Sequence, residues 1–199
     1  MSGRDGGMAR NADMFTAIVF SRQPIALSIP GVTVLNSVQT VTGPEGMLAA
    51  RLDVLSGVKT PWCFYLDDDD ELPDDYLSVL NECAAADKPL AYTNELVRQH
   101  AHESIRRSAP YSQEAHLKNM LLVHSLAVMR TEDAKRAAQN LPRGRYWAEM
   151  LLFWQLAKGG AQWLDRVGHI WNRGGGLNTK PWTLESQVRS AIWCANHRN

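Results

Sequence analysis

The sequence predicts a single α/β domain in which helices flank a central mixed, mostly parallel sheet. Two observations carry this. Short apolar runs of β-forming residues recur along the chain, and helical patterns with their own starts and stops separate them. The length, 199 residues with 45% hydrophobic content, suits one substantial core, and no internal repeat is present. Residues 1–13 are Gly-rich and carry no periodic apolar pattern, so they read as a flexible N-terminal segment ahead of a domain over 14–199.

The first core strand is Met14 to Phe20, a continuous apolar run suited to burial on both faces. Ile25 to Val38 is extended but broken by Pro30 and Gly31, which predicts two short strands. Gly43, Pro44 and Glu45 open a helix whose Met47, Leu48, Leu52 and Leu55 recur at helical spacing until Gly57. The aromatic run Pro61 to Leu66 is a central strand feeding directly into four aspartates, and Pro73 and Asp74 begin another helix. A strand over Leu90 to Val97 leads into a polar loop or edge hairpin. The C-terminal half of Leu121 to Met129 reads as a strand, and a helix follows from Thr131 to Asn140. Tyr146 to Lys158 is apolar all round and stops at Gly159-Gly160, as a buried helix does. Trp163 to Trp171 is a strand, Gly174 to Gly176 a flexible loop, and Leu184 to Asn196 the last helix.

Lys plus Arg equals Asp plus Glu, so no global field draws the chain to nucleic acid, membrane or acidic polymer. Cys63, Cys83 and Cys194 are far apart with no CxxC pair, as expected of reduced thiols in a cytoplasmic protein. No run approaches the ~20 apolar residues of a membrane helix, and the N-terminus lacks the apolar core of a secretion signal.

Asp67 to Asp70 is the feature that asks for chemistry. Four consecutive carboxylates at the end of an apolar strand repel one another, and a hard divalent cation such as Mg²⁺ or Mn²⁺ would compensate them. The plainer reading is a solvated acidic turn ahead of a helix, where Asp74 and Asp75 suit the helix N-terminus.

The stretch ARLDVLSGVKTPWCFYLDDDDELPDDYL resembles the inverting, GT-A-fold family-2 glycosyltransferases. Their order is an Arg-bearing helix, a Gly, an apolar strand, Asp-x-Asp-Asp and a Pro-initiated helix. Arg51, Gly57, the strand to Leu66, Asp67-x-Asp69-Asp70 and Pro73 occupy those places. Further on, WAEMLLFWQLAKGGAQWLDRVGHIWNRGGGLNT fits the family's acidic helix start, Gly, strand and basic loop, with Glu149 at the acidic position and Arg173 at the basic one. The resemblance spans roughly Gly43 to Thr179. The chain departs from the pattern in three places. Only SRQP separates its first two extended stretches, Leu52 stands where the family has Asn, and the glycine-rich loop fills the place of a late His ligand.

The resemblance implies an unusually short GT-A-like enzyme with a nucleoside-diphosphate sugar donor and a Mn²⁺ or Mg²⁺ cofactor. Asp69 would be the direct metal ligand, with Asp67 facing the ribose or a metal-bound water. Asp70 would orient the sugar, and Glu149 would be the catalytic base that deprotonates the acceptor hydroxyl. Arg51 would reach the nucleotide, and Arg173 with Gly175 would cover the diphosphate. Each has an ordinary alternative: a helix-dipole acid for Glu149, a surface turn for Arg173 and Gly175, a wet helix face for Arg51. His169 alternates with Val167 and Trp171 on its strand and reads as a core or wall histidine. His100, His102 and His116 share no ligand spacing.

Two other classes compete with this reading. One is a nucleotide-sugar-binding module that has lost transfer chemistry, and the other a two-metal phosphoryl enzyme. The acceptor is open between a glycan, a protein and a modified nucleic-acid base, the last because Arg98, Arg106, Arg107, Arg143 and Arg145 supply local positive charge.

Overall fold

The computed structural model describes residues 14–39, 50–124, 126–173 and 181–198. Its strands are β1 (Phe15–Ser21), β2 (Thr33–Val38), β3 (Trp62–Asp67), β4 (Leu90–Gln99), β5 (His102–Arg106), β6 (Ala127–Arg130) and β7 (Ala161–Asn172). The helices are α1 (Tyr76–Ala85), α2 (Gln113–Lys118), α3 (Thr131–Gln139), α4 (Ala148–Lys158) and α5 (Pro181–Asn196). One sheet runs in the order β2-β1-β3-β6-β4-β5, and β7 pairs with β4. β1, β2 and β3 are mutually parallel, and β4 and β7 run the same way because β6 is antiparallel to both β3 and β4. With only β5 and β6 reversed, the sheet is mixed and mostly parallel, as expected.

Both faces of this sheet are covered, which explains the continuous apolar strands. All seven residues of β1 are buried. Along it Ile18 and Phe20 pack on one side with Leu151, Leu152 and Trp154 of α4, whereas Phe15, Ala17 and Val19 join Val79, Leu80 and Cys83 of α1 on the other. The alternation recurs in β6, where Ala127 and Met129 face α4 and Val128 faces α1. Cys63, Cys83 and Cys194 are free and buried within these layers. Among the described residues, no helix is long and apolar enough to cross a membrane.

Several elements differ from expectation. Residues 25–38 give one strand, β2, instead of two. Pro24 and Pro30 remove backbone donors around Ile25 to Ile29, and Gly31 (φ +72°) turns the chain, so that Val32 N–H donates to the Ile29 carbonyl at 3.1 Å. The start of the helix expected from Gly43 lies outside the described residues; residues 50–53 are helical and tighten into a 3₁₀ turn over Val54–Gly57. Helix α1 begins later than Pro73, because Pro73 to Tyr76 forms a turn (Tyr76 N–H to Pro73 C=O, 3.0 Å) and Asp75 is drawn to Arg166 of β7 at 2.6 Å instead of capping. The short α2 was not foreseen; Ser112 caps it by accepting from the Ala115 N–H. The expected flexible segment 1–13 and the loop 174–176 lie outside the described residues.

Candidate active site

The acidic run leaves the sheet where β3 ends, between β1 and β6. Asp67 is the last strand residue, Asp68 N–H donates to the Phe20 carbonyl at 3.0 Å, and Asp70 N–H closes a turn onto the Asp67 carbonyl at 3.1 Å. Glu71 then makes an isolated bridge to Ile170, with both backbone bonds formed (3.0 and 2.9 Å). The four aspartates are therefore clamped against β7 and take up different environments.

Asp70 is turned inward, with its side chain 6% exposed. One carboxylate oxygen meets His169 Nε2 at 3.0 Å and the other accepts the Asn172 N–H at 3.1 Å. Asp67 is half-exposed and accepts from Arg51 at 3.0 Å. Asp68 and Asp69 are exposed at the rim. Partial desolvation, with Asp70 and Asp67 close by, raises the Asp69 carboxyl above its ordinary range.

Arg51 binds two elements together. Its guanidinium lies over the Phe20 ring, 4.0 Å from the centroid, and spans Asp67 and Glu149 (2.5 Å). Burial disfavours its charge, but Glu149 and Asp67 outweigh this and its pKa is raised. Glu149 stands in the first turn of α4, where its second oxygen accepts from Trp147 Nε1 at 2.6 Å. Trp147 is itself buried, so it orients Glu149 and forms part of the packing.

Arg51, Asp67, Asp70, Glu149, Tyr65 and His169 line one small cavity of about 50 Å³. Of the residues singled out from sequence, the fold thus joins Arg51, Asp67, Asp70 and Glu149, and leaves Asp69 on the outer side of the same turn. Arg173 is exposed, stacked 5.5 Å from the Trp171 ring centroid, with its N–H donating to the Arg98 carbonyl at 2.8 Å. Gly175 lies outside the described residues.

Sequence reasoning missed a second charged chain behind the cavity. Glu95 of β4 has its side chain 1% exposed, facing His169 of β7 at 3.5 Å, His124 at 3.2 Å and Arg106 at 2.6 Å. Burial would raise Glu95, but His124, His169 and Arg106 hold it down to about 2. Burial would likewise strip His169 of its proton, yet the Asp70 carboxylate that accepts from Nε2 and the Glu95 carboxylate beside Nδ1 push it up to about 9. The signal was an acid inside the apolar run LAYTNELV, which must find a partner in any buried strand. The arginines considered as a basic patch each face carboxylates: Arg98 meets Glu71 and Glu103, Arg106 Glu95, Arg107 Asp165, Arg143 Asp53 and Arg145 Glu185.

Among the described residues, no group of three or more His, Cys, Asp and Glu side chains closes round one point as a metal cage would. The hard oxygen donors available at the strand end are the carboxylates of Asp67, which is paired with Arg51, and of Asp69 on the outer side of the turn. A cation there would take one or two of these carboxylates and would need phosphate oxygens and water to complete its shell.

No protein-family model and no curated protein matches the chain. Solved structures do. S. aureus TarS 1–349 in complex with UDP aligns with a TM-score of 0.60 and 11% identity over 91% of this chain and 65% of that one. The complex of the same TarS fragment with UDP-GlcNAc gives 0.59 and 10% over 82% and 59%, and S. aureus TarS gives 0.57 and 9% over 80% and 36%. The chain thus spans less than two thirds of each of these. At such identities the likeness concerns architecture: the fold is GT-A-like, with a seven-stranded sheet flanked by helices.

Proposed function

We propose that this protein is a metal-dependent glycosyltransferase that moves a sugar from a nucleoside diphosphate to an acceptor hydroxyl with inversion. The observation that carries it is the convergence of Asp67, Asp70, Arg51 and Glu149 on one cavity at the carboxyl end of β3 in a GT-A-like sheet. Open α/β sheets characteristically bind ligands there. That TarS was crystallised with UDP and with UDP-GlcNAc supports a nucleotide-sugar as the donor class.

Asp69, with Asp67, would hold Mn²⁺ or Mg²⁺, which when bound supplies charge neutralisation for a departing diphosphate. Asp70 accepts a hydrogen bond from the donor sugar and fixes its angle. Glu149 takes the proton of the acceptor hydroxyl, and Arg51 and Trp147 hold it aimed until then. Arg173 covers the diphosphate from the exposed side. The β1–β2 connection carries no helix between Ser21 and Thr33, so no helix of that connection is available to hold the nucleotide base.

The test is donor binding and hydrolysis. Asp69→Ala should abolish Mn²⁺-dependent binding of nucleoside-diphosphate sugars, and unchanged binding would refute the metal assignment. Glu149→Gln should lower transfer by about 10²–10⁴-fold while leaving donor affinity in place. One observation favours a second reading, a nucleotide-sugar-binding module without transfer: both Glu149 oxygens are engaged, by Arg51 and by Trp147. Wild-type donor hydrolysis above background, lost in Glu149→Gln, excludes it.

A further inference from the structure

Asp70 is gripped entirely by one strand. Of its two carboxylate oxygens, one meets His169 Nε2 at 3.0 Å and the other accepts the Asn172 N–H at 3.1 Å, and both partners belong to β7. His169 is in turn backed by a second carboxylate. It is the register partner of Glu95 on the parallel neighbour β4, and its buried Nδ1, which has no hydrogen-bond partner among the described residues, lies at ion-pair distance, 3.5 Å, from Glu95 Oε2. An irregularity in the β4–β7 ladder between Tyr92 and Glu95 sets this pairing. The side chains of Asp70, His169 and Glu95 are 6%, 9% and 1% exposed, so little water competes with the chain.

We infer that His169, braced by Glu95, is a positioning residue that fixes the Asp70 carboxylate for recognition of the donor's sugar. The geometry gives the reason. A carboxylate oxygen carries two lone pairs, and each Asp70 oxygen uses one on β7. The remaining lone pairs belong to a carboxylate that cannot rotate, and Asp70 and His169 line the same cavity as Glu149 and Asp67. A sugar hydroxyl donating to Asp70 meets an acceptor whose direction is already set, so little ordering is left to do on binding. A buried carboxylate–imidazole–carboxylate chain is poor evidence of a stability device, since replacing buried ion pairs by apolar groups is often neutral or better. Its position behind a cavity-lining carboxylate makes it a device of geometry.

This inference rests on the proposed function, and the experiment separates the two. A panel of uridine, guanosine and thymidine diphosphate sugars, with the matching nucleoside diphosphates and Mn²⁺, is titrated into wild type. The pair with the tightest sugar-nucleotide is then measured with His169→Leu, His169→Gln and His169→Asn, each checked for folding by circular dichroism.

His169→Leu should reduce affinity for the sugar-nucleotide relative to the bare nucleoside diphosphate by about 10–100-fold, the scale on which misplaced site groups cost binding or rate. His169→Gln, whose Nε2–H reaches nearly as far as that of histidine, should restore most of the preference. His169→Asn, too short to reach Asp70, should not. The comparison of Gln with Asn decides the matter if the leucine variant fails to fold.

Equal weakening of both ligands, no change in either, or identical behaviour of Gln and Asn overturns the positioning role while leaving the proposed function standing. Failure of every panel member to bind wild type overturns both.

Discussion

Arg51 holds two carboxylates while lying flat on Phe20, and the consequence of removing it differs by what replaces it. Arg51→Ala leaves Glu149, 15% exposed, without its cation and should destabilise the fold by about 3 kcal/mol, measured by urea unfolding. Arg51→Met keeps the packing on Phe20 and should cost less. His169 gives a pH dependence whose sign can be worked out. Its folded pKa of about 9 lies above the ordinary 6.5, so its contribution is complete below that value and is lost as pH rises through 9. Glu95, held at about 2, acts in the opposite sense: its contribution is present above 4.5 and is lost as pH falls through 2. Wild-type urea midpoints should therefore fall between about pH 7 and about pH 9.5, and fall less in His169→Gln. Little of this was readable beforehand. Asp67 to Asp70 stood out as a run, but sequence order says nothing of which aspartate turns inward; the bridge from Glu71 to Ile170 decides that, across 99 residues between Asp70 and His169.

Strand β7 controls the site from one side, and its weakest tolerance is at Gly168. A Cβ there would lie 2.7 Å from Thr93 Oγ1 and 2.9 Å from Leu126 Cδ2, closer than packed atoms approach. Gly168→Ala should therefore push β7 off β4, cost about 1–3 kcal/mol in thermal or urea unfolding, and weaken donor binding through the neighbouring His169. The expected cost of about 1–3 kcal/mol without any loss of binding would show that the strand shift is absorbed elsewhere. At this scale the sequence was informative wherever an element is buried on both sides. β1, β3 and α4 followed from apolar runs and their stops, since nothing but burial suits FTAIVF or MLLFWQLA. It was uninformative where tertiary pairing decides: residues 25–29 have strand composition but two flanking prolines and a Gly31 turn, and α2 rests on one serine cap. The limits of α1 shifted because Asp75 found Arg166, a contact that no local propensity encodes.

For the whole molecule, ligand linkage is the most direct measurement. A ligand bound only by the native state, at a hundredfold excess over Kd, stabilises by about 2.7 kcal/mol. For a chain of this size that raises Tm by roughly 5–10 °C. The matched nucleoside-diphosphate sugar with Mn²⁺ should give such a shift, and Asp69→Ala should abolish it without changing the Tm of the unliganded protein much, since Asp69 is exposed. The GT-A-like architecture was legible because motif order and layer pattern agree; the acceptor was not, since the arginines that suggested a polyanion face carboxylates of the chain itself. One feature of the layers supplies a second route to the same linkage. Cys63, Cys83 and Cys194 lie in β3, α1 and α5, and burial pushes all three thiols up to about 12. Native protein should thus resist alkylation, and each sulfur becomes reactive only when its own layer opens. Residue-resolved alkylation by mass spectrometry makes the three cysteines built-in reporters of where the molecule comes apart first. A donor that closes the cleft beside β3 should slow the labelling of Cys63 more than that of Cys194.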